Sequence, residues 1–153
     1  MTKSGNRSRR RMALVFLLAA VLVSSGIAIT PAQAGTGLRS QMVPLINDDR
    51  ADRDRKALEL DLELSRYARK HSQDMADAGV LFHTTDLAAK LKGKHWSIGA
   101  ENVGVAPTLR ALEDMFMAST PHRRNILNRE FDHFAVGVVE SGGNVWVTVI
   151  FYG

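Results

Sequence analysis

The chain has 153 residues, 20 Lys and Arg against 16 Asp and Glu, and a formal net charge of +4. It holds no cysteine, which excludes disulfides, a thiol nucleophile, a thiolate metal site and a lipid-modified cysteine. Five basic residues (Lys3, Arg7, Arg9, Arg10 and Arg11) and no acid fall in the first 34 positions, leaving 15 basic against 16 acidic residues in 35–153. The apparent basicity belongs to the N-terminal segment, so a nucleic-acid partner is not expected.

That segment reads as a secretory signal. A positive start precedes an apolar run from Ala13 to Ile29, interrupted only by Ser24, Ser25 and Gly26. Pro31-Ala32-Gln33-Ala34 then offers small residues in the arrangement a signal peptidase accepts, with cleavage expected after Ala34. The alternative is an uncleaved anchor, but the apolar run is near the lower limit for a spanning helix. The remaining 119 residues make one domain of ordinary size, expected to be an extracellular monomer with no membrane span after cleavage.

In chain order, Gly35–Ser40 reads as a short flexible leader and 41–153 as the domain. A first helix is expected from about Gln41–Pro44 to Lys56, with Pro44 in its first turn. Its mixed run Asp48–Arg55 reads as a solvated, ion-paired face. A second helix starts at a capping Asp61, carries Leu64, Tyr67, Ala68, His71, Met75 and Ala78 on one stripe, and stops at Gly79. His71 on that stripe reads as a hydrogen-bonded packing residue. Asp86–Leu91 suggests a helical turn, and His95–Val105 an extended segment. Pro107-Thr108 opens a helix with Leu109, Leu112, Met115 and Phe116, and His122–Leu127 forms another. Phe134–Glu140 and Val145–Tyr152 make a hairpin around Ser141-Gly142-Gly143-Asn144. Helices first and an antiparallel pair last give an α+β class.

His83, Glu101 and His122 remain as residues that could carry chemistry. Two imidazoles and a carboxylate suit a divalent metal, zinc foremost. Their separations match no local ligand motif, so spacing alone favours structural, hydrogen-bonding histidines over a metal site.

Order and context shift this balance. Leu45-Ile46-Asn47 with Arg50, Leu60-Asp61, His71-Ser72 and Phe82-His83 stand in sequence, followed by Gly99-Ala100-Glu101-Asn102-Val103. Ser119-Thr120-Pro121-His122-Arg123 with Asn125-Ile126-Leu127 comes next, then Phe131, Gly137-Val138, Trp146-Val147 and Phe151. The ordered set resembles the CAP superfamily of cysteine-rich secretory, antigen 5 and pathogenesis-related group one proteins, most of all its short bacterial SCP-like extracellular members. The resemblance implies a three-layer α-β-α sandwich around a small antiparallel sheet. It also implies a cavity of two His and two Glu that can bind a divalent cation. His83, Glu101 and His122 carry over as metal residues, with Asn102, Ser119, Arg123 and Asn125 lining the cavity. The family's second glutamate would fall near Ser119, in the Phe116-Met117-Ala118-Ser119 piece, and does not carry over; Glu113 and Asp114 on the same helix are out of register.

The resemblance thus implies a secreted, non-catalytic binding module whose partner is a small apolar molecule or a cell-surface component. The alternative is a metal-assisted extracellular hydrolase acting on peptide or cell-wall substrates.

Overall fold

The computed structural model describes residues 31–153. The apolar run and basic start of the expected export signal lie outside the described residues. Helix α1 (Pro31–Ala51) takes in Gly35–Ser40, the stretch expected to be a leader. Pro44 therefore lies inside the helix, not in its first turn. It is exposed, as is Ser40, whose carbonyl loses its helical donor to the proline ring and can turn to water.

The helix also ends earlier than the charge pattern suggests. After Ala51 the chain turns, Asp54 takes a left-handed φ of 54°, and Arg55 N–H bonds the Arg50 carbonyl at 2.9 Å. Aspartate tolerates that conformation better than most residues. Two α1 side chains pin the segment beyond this turn. Asn47 pairs its amide with both backbone groups of Leu58, at 2.9 and 3.2 Å. Arg50, 1% exposed, donates to the carbonyls of Lys56, Ile126, Asn128 and Phe131 at 2.6–3.5 Å.

Strand β1 (Glu59–Leu60) leads into α2 (Leu62–Ala78), followed by α3 (Leu87–Lys90) and β2 (Gly99–Ala106). Helices α4 (Leu109–Ala118) and α5 (Thr120–Ile126) precede the hairpin of β3 (His133–Ser141) and β4 (Asn144–Tyr152). The expected caps are present: Asp61 Oδ1 accepts from Leu64 N–H at 2.9 Å, and Gly79 ends α2 at φ 67°. Gly142 and Gly143 turn the hairpin at φ 59° and 74°.

The strand order is β1-β3-β4-β2. The sheet is antiparallel except at β1, which runs parallel to β3 with Glu59 opposite His133. The expected all-antiparallel sheet is thus mixed at one edge, because a two-residue strand after α1 is too short to be legible as a run. Beyond Phe134 that edge has no strand partner, and Ser65 of α2 takes over by accepting from Val136 N–H at 3.1 Å.

The strands alternate between two cores. Phe134, Val136, Val138, Val145, Val147, Val149 and Phe151 face Met42 and Ile46 of α1, Leu112 and Phe116 of α4, and Ile126 of α5. Ala135, Ile150 and Tyr152 face Leu64 and Ala68 of α2, with Leu91 after α3. These are the three layers of an α-β-α sandwich. Asp61 ties the second layer to the sheet, because its Oδ2 accepts from both Tyr152 Oη at 2.9 Å and Lys94 Nζ at 2.8 Å. Burial pushes the Asp61 pKa up, but the Lys94, Leu64 and Tyr152 hydrogen bonds outweigh it and hold it below the ordinary value.

One acid is buried in the first layer. Glu113 of α4 is 0% exposed, and no donor faces either of its oxygens. Burial first, and then Asp49 of α1, push its pKa up to about 8, with Arg110 opposing and Asp114 adding to the rise. Asp49, which raises it, has its own carboxylate paired with Arg53 at 2.8 Å. A carboxyl raised in the folded state binds its proton more tightly there than in the unfolded chain. The resulting stability is complete below the ordinary value of 4.5 and fades as pH climbs to about 8. Urea melts should therefore show stability falling by a few kcal/mol in total across that window. Glu113→Gln, a neutral side chain of the same shape, should flatten the curve; a flat parent curve would remove the assignment.

Candidate functional site

Glu101 projects from β2, and its side chain is 4% exposed. Three donors surround it. Thr84 gives its backbone N–H to Oε1 at 2.8 Å and its hydroxyl to Oε2 at 2.6 Å. His83 Nδ1 sits 2.9 Å from Oε1. A carboxylate can only accept, so this contact puts the His83 proton on Nδ1 and leaves Nε2 unprotonated in the neutral ring. The Thr84 hydroxyl is spent on Glu101, so Tyr67 Oη donates to Thr84 Oγ1, at 3.0 Å. Tyr67, Thr84, Glu101 and His83 thus form one chain that ends in an imidazole whose side chain is 62% exposed.

Local sequence explains the placement. Gly79 stops α2 and turns the chain, so that Val80-Leu81-Phe82 runs along the surface, exposed, and brings His83 and Thr84 back over β2. Beneath it His71 is buried, edge-on to Phe82 with ring centroids 5.1 Å apart, and bonded through Nδ1 to Thr148 Oγ1 at 3.1 Å. Burial lowers its pKa, and it is the packing residue its stripe suggested.

His122, in the first turns of α5, packs its ring against Phe116 with centroids 5.0 Å apart. Its pKa is lowered by burial and then by the charge of His83. Asn102, fully buried on β2, fixes that end of α5. Its Nδ2 donates to the His122 carbonyl at 3.1 Å, and its Oδ1 accepts from Asn125 Nδ2 at 2.8 Å. Asn102 and Asn125 are therefore spent on each other and on backbone.

The other two candidates, Ser119 and Arg123, make different contacts. Ser119 is the hinge residue between α4 and α5, and makes no side-chain cap. Arg123 bonds the Met117 carbonyl at 3.0 Å and lines a different cleft, of about 620 Å³, with Arg55, Arg124 and Arg129. Among the described residues no group of three or more His, Cys, Asp or Glu side chains is arranged to hold a metal ion. As the side chains lie, both Glu101 oxygens are engaged, and Glu101 stands behind His83 instead of beside it. Sequence reading missed Thr84 and Tyr67. The only trace of Thr84 is its position next to His83, and Tyr67 looks like any other member of the α2 stripe.

The profile of the cysteine-rich secretory protein family, CAP, matches residues 43–151. This chain belongs to the CAP family. It is 34% identical over 113 residues to the uncharacterized protein YkwD of Bacillus subtilis, covering 69% of this chain and 44% of that protein. An extracellular SCP-domain protein of Bacillus anthracis superposes with a TM-score of 0.69 at 26% identity, over 80% of this chain and 42% of the other. A cysteine-rich secretory protein of Staphylococcus aureus shares the fold at a TM-score of 0.63 and 22% identity, over 80% and 40% of the two chains. The chain thus spans less than half the length of these relatives. In this CAP domain no helix among the described residues is long and apolar enough to cross a membrane.

Proposed function

We propose that this CAP domain is exported and acts as a binding module without catalysis, and that His83 and His122 together take a divalent transition metal such as zinc. The N-terminal pattern and the extracellular description of the Bacillus anthracis relative support export. The observation that carries the metal reading is the 2.9 Å contact of the buried Glu101 carboxylate with the exposed His83 ring. A carboxylate that holds one ring nitrogen orients the other toward a ligand and raises its basicity, the usual support behind a metal-binding histidine. Thr84 and Tyr67 serve this arrangement by fixing the carboxylate. Two imidazoles leave most of the coordination sphere to water or to a ligand brought by the partner. The family resemblance would put its second carboxylate near Ser119, which is a hydroxyl here, so a binding role fits better than hydrolysis.

Calorimetric titration of the metal-stripped protein with zinc tests the reading. His83→Ala and His122→Ala should each abolish most of the binding. Glu101→Gln, which loses the charge behind His83, should weaken it about 10- to 100-fold. Equal affinity in the parent and both histidine variants would overturn the metal site.

A further inference from the structure

Residues 35–153 are nearly neutral, yet their arginines are not evenly spread. The open cleft of about 620 Å³ between the outer face of α5 and the turn after it is lined by Arg55, Arg123, Arg124 and Arg129, with Glu130 as the single acid. Arginines on a near-neutral surface ordinarily find carboxylates. Among the described residues none of these four forms an ion pair.

Two of them are instead held by backbone. Arg55 donates through Nε to the Leu127 carbonyl at 3.0 Å and through Nη1 to the Arg53 carbonyl at 2.8 Å. Arg123 donates to the Met117 carbonyl at 3.0 Å. Carbonyls position a guanidinium without cancelling its charge. Arg124 and Arg129 are exposed and lie on the same cleft. Buried Arg50 adds a fifth cation close behind, near enough for Arg55 to lower its pKa after burial has done so. The helix C-terminus accounts for only part of this concentration: Arg123 and Arg124 stand in the last turn of α5, whereas Arg55 and Arg129 come from outside the helix.

We infer that this cleft is a binding site for an acidic glycan, a hydroxyl-rich chain that carries carboxylate or phosphate groups. Guanidinium forks match both anions in a planar, two-pronged geometry. The other lining groups select among polyanions. The Thr120 hydroxyl and the Asn128 amide suit sugar hydroxyls, and Leu127 offers an apolar patch for the C–H face of a ring. Among the described residues no aromatic ring lines the cleft, so a single-stranded nucleic acid finds no stacking platform there. The site is separate from His83 and Glu101, and it stands whether or not those residues take a metal.

The test is calorimetry of the purified protein with polygalacturonate as the probe. Neutral dextran, monomeric galacturonate and an oligothymidylate are run alongside. Polygalacturonate should bind, weaken as salt is raised, and lose at least tenfold in affinity in the Arg124→Ala/Arg129→Ala double variant. That variant should melt like the parent, since neither side chain has a partner to lose. An Arg66→Ala/Lys92→Ala variant removes the same charge from exposed positions off the cleft and should bind within about twofold of the parent. Equal losses in the two double variants would overturn the inference by reducing it to net charge. Equal binding of dextran, tighter binding of the oligothymidylate, or full affinity for monomeric galacturonate would each overturn the acidic-glycan assignment.

Discussion

Gly137→Ala is expected to destabilise the domain by about 3 kcal/mol or more, at the upper end for overpacking by a single methyl. A Cβ on Gly137 would lie 2.1 Å from Ala68 C and Arg69 N and 2.3 Å from the Ala68 carbonyl oxygen. All three atoms are backbone, so no rotamer change relieves them. The whole of α2 would have to move off the sheet. That movement would break the Ser65–Val136 and Ser72–Gly137 hydrogen bonds, both 3.1 Å, which cross from the helix to β3. It would also open the packing of Leu64 and Ala68 against Ile150. The sign is informative, because alanine in place of glycine ordinarily stabilises where the backbone allows it. Gly104→Ala is the control. There the added methyl meets Leu112 Cδ1 at 2.7 Å and Phe116 Cε1 at 2.9 Å, side-chain atoms that can give. The control should cost about 1 kcal/mol, within the range for overpacking. Urea midpoints at unchanged m-values measure both, and a loss below about 0.5 kcal/mol for Gly137→Ala would mean that α2 does not rest on this strand.

Arg50→Ala should cost a further class of stability, about 3–5 kcal/mol, through orphaned carbonyls instead of steric conflict. Arg50 is 1% exposed and, among the described residues, pairs with no carboxylate. Its charge is spread over the carbonyls of Lys56, Ile126, Asn128 and Phe131, the three nearest at 2.6–2.9 Å. Those carbonyls end α5, shape the turn before β3 and close the loop after α1. Deleting the side chain leaves them facing one another across a cavity. Arg50→Lys keeps a cation but offers one ammonium where a planar fork reaches several acceptors, so it should recover only part of the loss. The Arg50→Ala domain should also lose acidic-glycan binding, since Arg55 is anchored on the same carbonyl framework. Retention of parental stability in Arg50→Ala would show that water replaces the guanidinium without cost.

The elements with strong local signals were legible in the sequence. Asp61 and Gly79 bracket α2 because a capping carboxylate and a left-handed glycine act within a few residues of themselves. The Gly142-Gly143 turn between two runs of β-branched and aromatic residues likewise dictates its hairpin. The first helix was less legible. Its charge run reads as continuing to Lys56, but the turn at Asp54 is set by Arg50 gathering carbonyls from residues far along the chain. Strand β1 was invisible because two residues have no periodicity, and it exists only where β3 offers an edge.

The candidate site divides in the same way. Sequence alone determined that His83, Glu101 and His122 were the residues to examine, and that cysteine chemistry is excluded throughout. Only the tertiary structure decided what they do to one another. It placed Glu101 behind His83, with Thr84 and Tyr67 filling out its hydrogen bonds, and it spent Asn102 and Asn125 on holding α5. It also set Arg123 in an arginine cleft that includes Arg55, a residue far away in sequence. The reason is physical. Caps, turns and stripes depend on neighbours within a few residues, whereas the direction of a carboxylate and the company of an arginine depend on which strands and helices are laid side by side.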